Sequence, residues 1–352
     1  MLLFFVLCYN KNGEYMKIGV DKHNYMLRKK DDNEYIYVFE NENLSKLIKT
    51  KMHCIHVNYI DYLDINTTNY NINCKRKMTI NDDFDYKKRD YKIGIIIPNC
   101  NYEHTIRKCL SSIAEQIYKN YEVIFIDDMS TDNSVKIAYE FINKLTNIKI
   151  VELKQKRYNG GARNEGYLYL SDDVDYVFCV DSDDWLYDKY SLQKINDALY
   201  EEPDVLFGGL AKCRNQIITK EKIPDYKDRY EAMEGWSGVS KIIKKSLATR
   251  QECLYNEGTL KEDKNQHCKI CFYMNDFRCL KDLIYVWNQD NKKSVTTIRE
   301  KVIWGTSTIR HYADTLQLAL SVKGQDEKID KIMQERVEKC KEEVRIGGDR
   351  QW

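Results

Sequence analysis

At 352 residues, with a formal net charge of +1, the chain is long enough for one large domain with additions or for two domains. Its 43% hydrophobic content argues against disorder over most of the length, and the near-neutral balance provides no overall field to recruit nucleic acid or an anionic membrane. The 12 cysteines are scattered, several inside apolar runs (Cys54, Cys100, Cys109, Cys179), which reads as a reducing compartment and not as a disulfide scaffold.

The opening MLLFFVLC is apolar but too short to span a bilayer, and it lacks the basic flank of a signal peptide. An Asn12-Gly13 pair followed by YMKIGV is a hairpin signal instead. Residues 1–65 alternate strand-like runs (LLFFVLCY, YMKIGV, EYIYVFE, MHCIHVNYI) with polar turns and one amphipathic piece, NENLSKLIKT, that reads as a helix. A small α+β module is expected there, followed over 66–90 by a polar linker poor in aliphatics.

At Tyr91 the character changes. KIGIIIP is a continuous apolar run, the pattern of a strand covered on both faces. A helix follows with Ile106, Leu110, Ile113 and Ile117 on one side, then the strand YEVIFIDD, a helix from Val135 to Leu145, the strand IKIVEL and the short helix NEGYLYLS. DYVFCVDSDD is a fourth strand, and KYSLQKINDALY closes the series with Leu192, Ile195 and Leu199 at helical spacing. Four alternations of strand and helix predict right-handed crossovers and an α/β fold on a mostly parallel central sheet. This domain is expected over 91–300, with a charge-rich helical extension over 301–352 that packs by one face.

In open parallel sheets, ligands bind outside the carboxyl ends of the strands. The first strand ends in Pro98-Asn99-Cys100-Asn101, the second in Asp127-Asp128 with Ser130-Thr131-Asp132 behind, and the fourth in Asp181-Ser182-Asp183-Asp184. Acids converging on one sheet edge need a cation or hydrogen-bond donors to stay ionised. Oxygen ligands alone suit Mg²⁺ or Mn²⁺, shared with the phosphates of a bound nucleotide. The blander alternative is that Asp183 and Asp184 cap the next helix. Cys268 and Cys271 have CxxC spacing, with His267 and Cys279 nearby, but no second ligand pair follows, so packing is the expectation. Trp236 reads as a sugar-stacking wall or as a core tryptophan. Lys241, Lys244 and Lys245 read as a solvated face.

In order, IGIIIPNCNYEHTIRKCLSSI, YEVIFIDDMSTDNS, NGGARNEG, VDSDDWL, EGWSGVSKIIKKSL, YNEGTLKED and YVWNQDNKKSVTT resemble a family 2 glycosyltransferase of the GT-A fold over residues 92 to about 298. The resemblance implies a Rossmann-like core and a nucleotide-sugar donor, with UDP-sugars favoured. It implies that Pro98, Asn101, Tyr102 and Glu103 border the nucleotide, and that Asp127 and Asp128 hold its uracil and ribose end. By the same resemblance Gly161, Arg163 and Asn164 belong to a loop beside the diphosphate, Asp181, Ser182 and Asp183 form the Asp-x-Asp motif with Asp181 and Asp183 as metal ligands, and Asp263 is the general base. Cys100 stands where the family commonly has an aromatic that stacks on the base, with Tyr102 as a substitute, and the loop around NGGARNEG is short.

The expected activity is therefore metal-dependent, inverting transfer of a hexose to a hydroxyl of a glycan or glycoconjugate by a cytoplasmic protein without a transmembrane segment, with room for a homo-oligomer. A viral or phage enzyme glycosylating 5-hydroxymethylpyrimidines in DNA shares the same machinery and predicts a basic groove beside Asp263. An inactive domain that only binds a nucleotide-sugar or a partner is the third reading.

Overall fold

The structure, a computed structural model, describes five strands within residues 3–55, and then residues 90–145, 147–235, 238–259, 262–291 and 301–349. The chain divides into two units, Met1–Arg89 and Asp90–Trp352. In the first, β1 (Leu3–Tyr9) pairs antiparallel with β2 (Tyr15–Asp21) and β5 (His53–Ile55), while β3 (Tyr25–Asp31) and β4 (Glu34–Phe39) form a two-stranded ribbon. The Asn12-Gly13 turn, the helix expected at NENLSKLIKT, the linker 66–90 and Trp236 lie outside the described residues.

The second unit is built on one sheet. β6 (Ile93–Asn99), β7 (Tyr121–Asp127), β8 (Ile148–Glu152) and β9 (Tyr176–Cys179) are parallel and ordered 9-6-7-8. Beyond β9 the sheet becomes mixed: β13 (Lys241–Lys244) runs antiparallel to β9, β11 (Val205–Arg214) antiparallel to β13, and β14 (Phe277–Asn288) parallel to β11. The short β10 (Trp185–Leu186) closes one edge and β12 (Ile217–Lys222) hangs on β11 as a hairpin.

Every residue of β6 and β7 is buried, as their unbroken apolar runs require of strands covered on both faces. Ile93, Ile95 and Ile97 face one core with α1 (Ile106–Ala114), α2 (Ser134–Tyr139) and α4 (Ser191–Ala198). Ile96 faces the other, with α3 (Tyr158–Leu168), α5 (Arg229–Glu234) and α7 (Glu262–Tyr273). A four-residue helix α6 (Lys245–Ala248) follows β13. Helices α8 (Lys301–Val322) and α9 (Glu327–Asp349) complete that second layer through Leu318, Val322, Ile329, Ile332 and Met333, so the expected extension is part of this unit. No helix among the described residues is long and apolar enough to cross a membrane.

Three helices differ from the reading of their sequence: α1 ends at Ala114 and leaves Ile117 exposed. α2 stops at Tyr139, and Ile142, which the expected helix would carry, is exposed. α3 begins earlier than NEGYLYLS and takes in both glycines of the Gly160-Gly161 pair. α3 lies close to the sheet because Gly166 has no side chain: a Cβ there would meet Ile96 Cγ2 at 2.7 Å. Gly166→Leu is accordingly expected to cost about 1–3 kcal/mol by overpacking, read as a lower urea midpoint with unchanged slope.

Candidate active site

The carboxyl ends of β6, β7 and β9 bring three loops together. Asn99, the last residue of β6, donates from Nδ2 to Asp127 Oδ1 at 2.8 Å and to Ser130 Oγ at 3.1 Å. Asp127 also accepts from the Ser130 amide (2.8 Å) and hydroxyl (2.5 Å). Asp128 accepts from the amides of Arg157 (2.7 Å) and Tyr158 (2.8 Å) and pairs with Lys156 at 3.1 Å. A carboxylate on the first amides of α3 satisfies donors the helix cannot and sits at its positive end. Both aspartates are buried, so in this structure they hold loops together.

The other residues of the first loop brace it in the same manner. Asn101, at φ 60°, donates its amide to Ser130 Oγ (2.9 Å) and accepts from the Thr131 amide (2.7 Å). Glu103 accepts from the Asn133 amide (3.1 Å) and side chain (2.8 Å). Those hydrogen bonds hold the Glu103 carboxyl below its usual range. Tyr102 differs: its phenol is pushed up by burial and by the charges of Asp183, Asp181 and Asp184. Lys156 Nζ lies 2.7 Å from Cys100 Sγ, at the position where an aromatic was expected.

After β9, Ser182 Oγ donates to the Pro98 carbonyl at 2.6 Å and so ties the Asp-x-Asp turn to β6. Asp181 pairs with Arg163 at 2.6 Å. Asp183 accepts only from Asn291 Nδ2, at 2.8 Å, among the hydrogen bonds resolved to its side chain, and burial followed by the charge of Asp181 pushes its carboxyl up to about 6. Asp184 is not a free ligand. It accepts from Tyr285 OH (2.7 Å) and the Asn288 amide (2.8 Å), and burial with its acidic neighbours pushes it up.

This donor set fits a hard divalent cation. Asp183 is half-buried with its charge faced by a neutral amide, which a cation would compensate, and the available ligands are oxygens. No group of three or more His, Cys, Asp or Glu able to hold a metal occurs among the described residues, so phosphate oxygens and water would complete the shell.

Arg163 joins this corner to the far side of the site. Its guanidinium, 4% exposed, donates to Asp181 Oδ1 and to Glu262 Oε1, each at 2.6 Å, and lies over the Tyr255 ring at 5.0 Å. Asn164 clamps the same segment, exchanging hydrogen bonds with the Tyr255 carbonyl and amide, both at 2.9 Å. The paired glycines permit this approach. A Cβ on Gly160 would meet the Asn256 carbonyl oxygen at 2.6 Å, and one on Gly161 the Arg157 side chain at 2.6 Å and Glu257 Oε2 at 3.3 Å. The space beside them is taken by the chain itself.

Glu262 and Asp263 form the first turn of α7, where the positive helix end favours carboxylates. Glu262 is buried and burial pushes it up to about 7 against the pull of Arg163. Asp263 is half-buried against Gly238, where a Cβ would meet Asp263 Oδ2 at 2.5 Å. No local pattern marks Tyr285, Asn288 or Asn291 as partners of Asp184 and Asp183, or Glu262 as a partner of Arg163. Lys241 is a correction: the residue read as solvated is 4% exposed and donates to Gln266 Oε1 at 2.6 Å. His267, Cys268 and Cys271 are buried, with His267 Nε2 at 2.7 Å from the Ala232 carbonyl oxygen.

Residues 94–259 match the family model of glycosyl transferase family 2. The chain is 31% identical over 145 residues to the UDP-Glc:alpha-D-GlcNAc-diphosphoundecaprenol beta-1,3-glucosyltransferase WfgD of Escherichia coli, covering 41% of this chain and 55% of that protein. It is 27% identical over 175 residues to the poly(ribitol-phosphate) beta-glucosyltransferase of Bacillus spizizenii, covering 49% of this chain and 26% of that one. It therefore spans about half of the first relative and about a quarter of the second. Among solved structures, Staphylococcus aureus TarS 1-349 in complex with UDP-GlcNAc shares the fold, with a TM-score of 0.55 at 21% identity over 64% of this chain and 66% of that one. The segment that matches glycosyl transferase family 2 starts inside β6 and ends just short of α7, and the sheet that carries it shares its fold with TarS.

Proposed function

We propose that the chain is a metal-dependent, inverting glycosyltransferase that moves a hexose from a UDP-sugar to a hydroxyl of a glycan or glycoconjugate. One observation carries the reading: Arg163 bridges the Asp-x-Asp turn and the acidic head of α7 with two contacts of 2.6 Å. The donor-side turn and the helix head next to the candidate base thus meet at one buried guanidinium and not at two unrelated sites.

In this reading Asp181 and Asp183 hold a Mn²⁺ or Mg²⁺ ion, which when bound supplies Lewis-acid neutralisation of the departing diphosphate. Tyr102 borders the donor. Asp127 and Asp128 act on the nucleotide through the loops they hold, 130–134 and 156–158. Inversion at the anomeric carbon needs a base on the face opposite the leaving group, and Asp263 takes the acceptor proton there. The names of similar proteins support the donor class: one specifies UDP-Glc, and the TarS structure was solved with UDP-GlcNAc. The same names support polymeric or carrier-linked hydroxyl acceptors, a diphosphoundecaprenol-linked GlcNAc in one case and poly(ribitol-phosphate) in the other.

The test is nucleotide release from UDP-glucose and UDP-N-acetylglucosamine, with GDP- and dTDP-sugars as comparators, with and without Mn²⁺. Asp263→Asn is expected to lower kcat by about 10²-fold or more while UDP binding stays intact. Absence of release from every donor by folded protein with metal present would sink the proposal.

A further inference from the structure

The proposed mechanism leaves unused a distant strand end that touches every acid of the Asp-x-Asp turn, Asp181, Asp183 and Asp184. β10, which follows that turn directly, runs antiparallel to β14, with Trp185 opposite Val286 and Leu186 opposite Tyr285. The Tyr187 amide adds a bond to the Ile284 carbonyl at 3.0 Å. The chain leaving the turn is thereby zipped to β14.

Tyr285 reaches into the turn itself. Its side chain is fully buried, with the ring packed against Phe178 of β9 at 6.1 Å between centroids. Its hydroxyl accepts from the Asp181 amide at 3.1 Å and donates to Asp184 Oδ2 at 2.7 Å. One oxygen thus spans the first and last acids of the turn, beside the turn's own bond from the Asp184 amide to the Asp181 carbonyl at 3.0 Å. The Asn288 amide holds the other Asp184 oxygen at 2.8 Å, and Asn291 Nδ2 holds Asp183 Oδ2 at 2.8 Å. A phenylalanine would fill the same core place, so the hydroxyl is there for the turn and not for the packing.

Hydrogen-bond partners of ligating carboxylates fix the direction of those ligands, and losing one typically costs about 10–100-fold in metal affinity. We propose that Tyr285 and Asn291 are positioning residues for the divalent cation: the Tyr285 hydroxyl fixes the turn that presents Asp181 and Asp183, and Asn291 fixes the direction of the Asp183 carboxylate. β14 is then the template on which the metal site is registered. This rests on the reading of Asp181 and Asp183 as metal ligands.

The test follows Mn²⁺ binding and needs no turnover. Wild type and variants of the full chain are titrated with Mn²⁺ in the presence of UDP, below their melting transitions, and free Mn²⁺ is read by its electron paramagnetic resonance signal. Tyr285→Phe keeps the ring and deletes only the bridging oxygen, while Asn291→Ala deletes the donor to Asp183. Each is expected to weaken Mn²⁺ binding by about 10-fold or more. Tyr285→Phe also strands a buried amide and a carboxylate oxygen, so it melts lower whatever its role, and stability alone does not discriminate. Tyr118→Phe supplies the control: it loses a buried hydroxyl that donates to the Tyr91 carbonyl at 2.7 Å, before the amino end of β6, and is expected to melt lower with Mn²⁺ affinity unchanged. A Tyr285→Phe protein that behaves like this control overturns the proposal, as does Asn291→Ala with wild-type affinity. Where Tyr285→Phe does not fold, Asn291→Ala decides. If wild type with UDP takes up no Mn²⁺, the metal-ligand reading falls and this proposal with it; binding by wild type that neither variant weakens sinks the proposal and leaves that reading standing.

Discussion

Arg163→Met is expected to lose about 3–5 kcal/mol of folding stability, the usual result of removing one partner from a buried ion pair and stranding the other. Glu262 is the stranded group: it is buried, burial has already pushed its carboxyl up to about 7, and Arg163 is the first influence holding it down. The pH dependence has a definite sign. A carboxyl whose folded pKa lies above its unfolded value binds more protons when folded between the two, so stability falls as pH rises through that window. Removing Arg163 raises Glu262 further and steepens the fall, so the deficit should be largest near pH 8 and smaller near pH 5.5. Urea denaturation at the two pH values reads this directly. A deficit that does not change with pH would mean that Glu262 is not the residue left uncompensated. Arg163→Lys is expected to recover only part of the loss, because an ammonium cannot reproduce two contacts made by separate guanidinium nitrogens.

Asp183→Asn has the opposite profile. Several kcal/mol of charge stabilisation on the leaving diphosphate, at about 1.4 kcal/mol per tenfold, corresponds to about a 10³-fold loss of Mn²⁺-dependent UDP release. Its stability should not fall, because the wild-type carboxylate is half-buried beside the like charge of Asp181 and accepts from the neutral side chain of Asn291, and an amide carries no charge to desolvate. Melting curves supply the check: Mn²⁺ with UDP should raise the transition of wild type and leave that of the variant unmoved. A variant that melts well below wild type would show that Asp183 serves the fold as well.

The parallel half of the sheet was readable because each strand is a short apolar run ending abruptly in polar residues, and the Asp-x-Asp turn was readable for the same reason. The helix reading failed where the periodicity continued past the real end: Ile142 is spaced like a core residue but is exposed once α2 stops at Tyr139. The latch on Asp184 was invisible, since Tyr285 and Asn288 lie more than 100 residues downstream and no local pattern marks a tyrosine as the partner of a distant acid. Lys241 misled for a related reason. A lysine in a run with Lys244 and Lys245 looks like surface, and only the pairing of β13 between β9 and β11 turns its side chain inward.

Helix α7 is gripped from behind. Asn265 Oδ1 accepts from Thr315 of α8 at 3.0 Å, Thr259 and Ser307 hydroxyls meet at 3.1 Å, and Arg336 of α9 donates to the Met233 carbonyl on neighbouring α5. The segment shared with the family ends at residue 259, before any of that helix begins. The family match thus lies on the strands and loops of the Asp-x-Asp side, while the helix that bears the proposed base is framed by the last fifty residues. On the proposed assignment of Asp263, small changes in that terminal hairpin would tilt its helix and so bear on the acceptor before the donor.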